Sequence, residues 1–337
     1  MADKDGSSTP AASTASSGGG APSREGGGPP VVVRTNATSL VLLTILVIVL
    51  GVGLLGSLAV NAYYRVAYEQ YFQTNANVLE SYHSGSKTAS KKIAIIDLSG
   101  VMLSGEGFTK RQIDRVRKDD AVEAVVLRVD TPGGAVTAAD YLYHHLKRLR
   151  DERKVPVVVS MGSVAASGGY YVSMAAGEPG DGQKAVLEQD EQERKKFIFA
   201  EPTCITGSIG VIIPRFDVHE ALEKYDIKND SIVSHEFKEM GSWTKELTPP
   251  ERRKLQDQVD LLFGRFKDIV VEGRPMFAQD QDALNQVATG EVFIGEKAKD
   301  LMLVDEVGFI EDAIESAAGL AGLGEDDSRV VPCGRPH

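Results

Sequence analysis

Residues 155–176 read VPVVVSMGSVAASGGYYVSMAA, and the reading of this stretch decides the fold. After Pro156, the β-branched run Val157, Val158, Val159 has the composition of a buried strand. Small residues follow (Gly162, Ser163, Ala165, Ala166, Ser167, Gly168, Gly169) and lead into a segment fit for a helix, residues 170–176. A strand that turns sharply into a helix presents one side chain at the corner, beside N–H groups that have no helical partner. Such N–H groups hold an oxyanion well, so the corner suits a nucleophile. Ser167 stands at that corner. A second corner, Asp130-Thr131-Pro132-Gly133-Gly134, follows another apolar strand, residues 124–129. Two glycine corners after two buried strands bring backbone N–H groups to one point.

Working outward, residues 93–98 read as a strand and 108–118 as a helix. Residues 135–150 read as a helix with one apolar face and with Lys147, Arg148 and Arg150 in its last turns. Strands alternating with helices imply a mostly parallel sheet with crossovers. The charged segment 178–196 interrupts this rhythm as a surface insertion. The pattern resumes with strands at 197–200 and 210–213, the second after the turn Thr206-Gly207-Ser208, and a helix near 218–225. Residues 231–247 form a polar stretch. Thr248-Pro249-Pro250-Glu251 opens a further helix with a capping box, which ends near residue 272. Shorter helices at 282–288 and 295–301 and an edge segment at 303–307 complete a domain over 93–322. Residues 323–337 read as a flexible tail.

The chain has 337 residues, of which 42% are hydrophobic and 25% charged, enough for one or two globular domains with a real core. The net charge of −11 comes without a basic stripe and speaks against nucleic acid as a partner. Cys204 and Cys333 lack zinc-finger spacing; they read as two unpaired thiols or one bridge. No HExxH or His/Asp cluster appears, so no metal or other cofactor is expected. Residues 1–37, rich in Gly, Ser, Ala, Pro and Thr, bury too little to offset their ordering entropy and read as disordered. From Leu40 to Val60 the run LVLLTILVIVLGVGLLGSLAV carries no charge over 21 positions, the length of a bilayer-spanning helix. We assign residues 38–61 as an anchor in the lipid bilayer and 62–92 as a stalk. Arg24 and Arg34 precede the span and Arg65 follows it, which places the N-terminus in the cytoplasm and the rest outside.

A nucleophilic serine needs a base. Of the six histidines (His83, His144, His145, His219, His235 and His337), His144 and His145 lie mid-helix among basic residues and His83 lies in the stalk. His235 qualifies by position, and Lys238 and Lys245 lie in the same polar stretch. A lysine serves only if burial lowers its pKa from about 10.4 towards about 7–8.

Five blocks carry a further reading: VLRVDTPGG (126–134), VVVSMGSVAASGGYYVSMAA (157–176), IFAEPTCITGSIGVI (198–212), SHEFKEMGS (234–242) and ATGEVFIGEKAKDLMLVDEVG (288–308). In this order, behind a single anchor, they resemble the signal peptide peptidase family of protease IV type, in its short, single-module form. The resemblance implies a Clp protease/crotonase-like α/β fold of ββα units and a membrane-anchored serine endopeptidase. It implies Ser167 as nucleophile, Lys238 as general base, the N–H groups of Gly134 and Gly168 as oxyanion hole, and Ser208 as a hydroxyl that orients the lysine. His235 is then a bystander. Peptide substrates, cleaved signal peptides among them, and a homo-octamer follow from the same resemblance. A crotonase-type acyl-CoA enzyme would share the paired N–H groups but needs no anchor. A scaffold without activity would not need both Ser167 and Lys238.

Overall fold

The computed structural model describes residues 37–72, 78–180, 183, 194–324 and 326–334. The expected disorder of the N-terminal extension lies outside these residues. The chain divides into two units, residues 1–65 and 66–337. Helix α1 (Ala37–Phe72) carries the apolar run. Its stretch Leu40–Tyr64 is long and apolar enough to cross a membrane, with its side chains exposed on every face. A helix apolar all round has no polar side to turn to water.

The second unit is an α/β sandwich. It begins with β1 (Leu79–Glu80), β2 (Ser84–Gly85), β3 (Lys91–Ser99), α2 (Phe108–Arg117), β4 (Val122–Thr131), α3 (Val136–Arg153), β5 (Val157–Ala166) and α4 (Gly168–Ser173). It continues through β6 (Ile198–Ala200), β7 (Ile205–Gly207), α5 (His219–Glu223), α6 (Pro249–Gly273), α7 (Met276–Gln279) and α8 (Gln281–Val287). It closes with β8 (Val292–Ile294), α9 (Gly295–Asp300), β9 (Glu306–Val307), α10 (Ile310–Leu320) and β10 (Ser328–Gly334). The sheet runs β1-β10-β3-β4-β5-β6-β9, parallel from β10 to β9.

The central strands are apolar on both faces because both faces are covered. Ala94, Ile96, Leu98, Val125, Leu127, Val129, Val157 and Val159 enter the larger core, beneath α2, α3, α4 and α6. Ile93, Ile95, Ala124, Val126 and Val158 face the other way and meet Ala313 and Ala317 of α10. The capping box forms as expected: Thr248 accepts from the Glu251 amide while the Glu251 carboxylate accepts from the Thr248 amide.

Three expectations need correction. The tail does not fray: β10 lies between β1 and β3 with Val330, Val331 and Cys333 buried. The acidic turn before it and Pro332 within it disguise a strand. The stalk is shorter than expected, because β1 and β2 pair with β10 and Glu80 joins Asp119 in holding the buried Lys92 ammonium, at 2.6 and 2.7 Å. No strand forms at 210–213, where Ile212 is exposed. The strand is instead β7, within the expected turn, since Gly207 at φ +85° passes close to Phe293 of β8 where a side chain would clash. Within the charged insertion, Gln183 is buried and bonded to Ala176 and Arg274. Most of the rest of it lies outside the described residues. Both cysteines are unpaired and buried, and burial pushes each thiol up to about 12, which leaves them inert.

Candidate active site

Strand β5 changes partners along its length. Its first half pairs with β6, and Val164, Ala165 and Ala166 pair with β7. It then ends abruptly at Ser167, which has φ +53° and ψ −117° before α4 begins. A non-glycine residue in this region costs roughly 1–3 kcal/mol and persists only where its surroundings force it. Here the Ser167 amide donates to the Gly207 carbonyl at 2.9 Å, and the Ser167 carbonyl accepts from the Tyr171 amide at 2.9 Å. Ser167 is half-buried between these supports.

The second corner lies against the first. A Cβ on Gly133 would stand 2.6 Å from the Gly168 nitrogen and 3.0 Å from the Ser167 Cβ. Thr131 fixes the turn by accepting from the Gly133 amide at 3.0 Å, and the Asp130 carboxylate accepts from the Val164 amide of β5 at 3.1 Å. Met102 completes the arrangement: its amide donates to Gly133 and its carbonyl accepts from Ala135, a parallel bridge that skips the Gly134 amide. Neither the Gly134 nor the Gly168 N–H donates to a protein acceptor among the described residues. Two such donors beside a strained serine are able to hold an anion.

Helix α4 is held from behind. Tyr170 donates to the Leu303 carbonyl at 2.9 Å, and Tyr171 donates to Asp140 of α3, which also takes Arg265 of α6 at 3.0 Å. Burial pushes the Tyr171 hydroxyl upward, and Asp140 adds to this. Burial also works to raise Asp140, but its bonds to Tyr171 and Arg265 outweigh that and hold it below the usual carboxylate range.

The remaining expected residues divide. Ser208, at φ +51°, directly follows Gly207, and its amide donates to Glu291, so it belongs to the serine corner. Lys238 lies in a 3₁₀ turn, Glu236–Glu239, capped by His235, and both it and His235 are exposed. No hydrogen bond or ion pair joins Lys238 to Ser167 or Ser208 among the described residues. Lys245 is engaged elsewhere, in an ion pair with Glu251 at 2.6 Å. Among the described residues no three His, Cys, Asp or Glu side chains gather as a metal site. Met102 was not legible in the sequence, where it is a lone methionine in a loop.

An α/β fold with a serine at a strand-to-helix turn is the architecture of a class of serine hydrolases. Residues 195–324 match Peptidase family S49, a region that holds Ser208 and Lys238 and begins after Ser167. A putative protease, slr0021, of Synechocystis sp. is 34% identical over 236 residues, covering 70% of this chain and 76% of that protein. Protease 4 of Salmonella typhi is 32% identical over 262 residues, 74% of this chain but only 38% of that longer protein. A putative signal peptide peptidase SppA of Enterococcus faecium is 28% identical, covering 73% of this chain and 68% of that protein. The chain belongs to peptidase family S49, the serine peptidases of SppA and protease IV type with a ClpP-like fold.

Proposed function

We propose that this serine peptidase is a membrane-anchored endopeptidase that uses Ser167 as nucleophile and Lys238 as general base. The observation that carries the reading is the strained Ser167 beside the unpaired N–H groups of Gly134 and Gly168. Neutral Lys238 takes the Ser167 proton as the hydroxyl oxygen bonds to the scissile carbonyl carbon. The oxyanion rests on the two glycine N–H groups, each worth about 3–4 kcal/mol in comparable sites. Lys238 returns the proton to the leaving amine as the C–N bond breaks, and water then hydrolyses the acyl-enzyme. Ser208 orients the lysine.

A lysine base needs a dry setting, and in the single chain Lys238 is exposed. Ile212, Phe216, Tyr225, Ile232 and Trp243, in the same part of the chain, are exposed as well. Their exposure supports a homo-oligomer, a ring of eight by resemblance, whose contacts dry the lysine. The α1 span anchors the chain, with the N-terminus cytoplasmic and the peptidase outside. The substrates are residual signal peptides and other membrane-associated peptides.

The test is hydrolysis of a signal-peptide-like fluorogenic substrate by the detergent-solubilised chain, comparing Ser167→Ala, Lys238→Ala and His235→Ala. The dyad predicts that the first two are dead and the third active. A folded but inactive His235→Ala would put the base at the histidine. Protease accessibility in intact spheroplasts tests the orientation, and full protection of the C-terminal unit would reverse it.

A further inference from the structure

The Lys238 turn has little apolar support. Ser234, His235, Glu236 and Lys238 are exposed, and of the apolar side chains beside them Phe237 and Met240 are half-buried. Its position therefore rests on polar cross-links, and one side chain makes several of them. Arg215, in the segment that leaves Ser208, is mostly buried, with 15% of its side chain exposed. Its Nη2 donates to the carbonyl of Ser242, at 3.0 Å, and to that of Lys245. Its Nη1 donates to Asp217 at 2.9 Å. Its Nε–H is buried without an acceptor among the described residues, so the two Nη groups make all of its hydrogen bonds there. The Val218 amide adds a bond to the Trp243 carbonyl at 2.9 Å. Asn229, which precedes the turn, bonds Glu239 in it and Thr244 after it. Glu246, His219 and Arg252 line the hollow around Arg215 and Asp217.

We infer that Arg215 is the positioning residue for the proposed base, an inference that rests on the serine–lysine reading above. Its planar guanidinium ties the chain that follows Ser208 to the chain that follows Lys238 and so fixes where the lysine turn stands. Two carbonyls and a carboxylate match a fork of fixed donors, which a lysine ammonium cannot reproduce. Asp217 holds the fork in plane from the other side. Arg215 does not touch the reacting atoms; it acts through the backbone on either side of Trp243.

The experiment uses the full chain in detergent micelles: wild type, Arg215→Lys, Asp217→Asn and Lys238→Ala. kcat and KM for the fluorogenic peptide are followed from about pH 6 to about pH 10, the range a perturbed lysine titrates through. A displaced base lowers kcat by about 10–100-fold in Arg215→Lys while KM stays near wild type. The acid limb of its kcat profile moves up towards the ordinary lysine value of about 10.4. Asp217→Asn, a gentler change, moves the limb the same way and less. Limb position reads only folded enzyme, so partial unfolding does not mask it. A fall in kcat with the limb in place assigns Arg215 a purely structural role and overturns the inference, as does an unchanged kcat. Wild-type turnover in Lys238→Ala overturns the dyad reading itself, and the inference with it.

Discussion

The serine corner and the lysine turn are built from different materials. At the corner, backbone packs on backbone: a Cβ on Gly134 would stand 2.0 Å from the Met102 carbonyl oxygen. The strands beneath it, β4 and β5, are buried on both faces. The lysine turn is held by side chains at the surface, with Phe216 and Tyr225 about four-fifths exposed nearby and Ile232 fully so. The geometry of Ser167, the proposed nucleophile, is thus part of the core and shares its stability. The geometry of Lys238, the proposed base, depends on a few hydrogen bonds near the surface, the kind of support that local opening breaks first.

Exchanging single residues in the two regions tests this contrast most strongly. Ser167→Ala should lower kcat by about 10⁴-fold or more, measured with the fluorogenic peptide. Lys238→Ala should be similarly inactive yet melt within about 0.5 kcal/mol of wild type, because an exposed side chain carries little stability. A large loss of stability in Lys238→Ala would erase the distinction between the regions. Gly134→Ala should remove both properties: about 1–3 kcal/mol of stability through overpacking and about 10²–10³-fold of kcat through the displaced oxyanion donor. Denaturant melts beside the activity assay check both, and wild-type stability in Gly134→Ala would contradict the close approach to Met102.

Stability and activity should also move in opposite directions at one position. Ser167→Gly removes the nucleophile and releases the φ +53° strain, so it should gain about 1 kcal/mol, part of the release being offset by glycine's freedom in the unfolded chain. Equal or lower stability in that variant would mean that the corner is not strained.

How far each region could be read from the sequence follows the same division. Residues 155–176 and 124–134 announce buried strands and glycine corners through composition alone, and β4, β5, α3 and α4 stand within a few residues of expectation. The Thr248–Glu251 capping box is equally local and equally legible. β10 was hidden because its partners, β1, β2 and β3, lie at the far end of the chain, and a strand interrupted by Pro332 has no clear local signature. Met102 and Arg215 were hidden for a related reason. Each acts on backbone groups distant in sequence, and neither residue type in a loop signals which carbonyl it will meet.

The smallest effect concerns the hold on Arg215. The bonds from His219 and Arg215 keep Asp217 at about 2, well below an unperturbed aspartate. The contribution of that contact is therefore complete above about pH 4, the ordinary aspartate value, and fades as pH falls through the folded-state value. His219 is raised, first by its bond to Asp217, so its share is complete below its ordinary value and is lost as pH rises beyond it. The chain has a single tryptophan, Trp243, whose carbonyl lies between the two that Arg215 holds in Ser242 and Lys245. Its emission should therefore change on acidification from about pH 4 to about pH 2, and Asp217→Asn should abolish that step. The same step in Asp217→Asn would place its origin elsewhere and remove Asp217 from the account of the lysine turn. A step found only in wild type would show that the turn loosens through this one carboxylate.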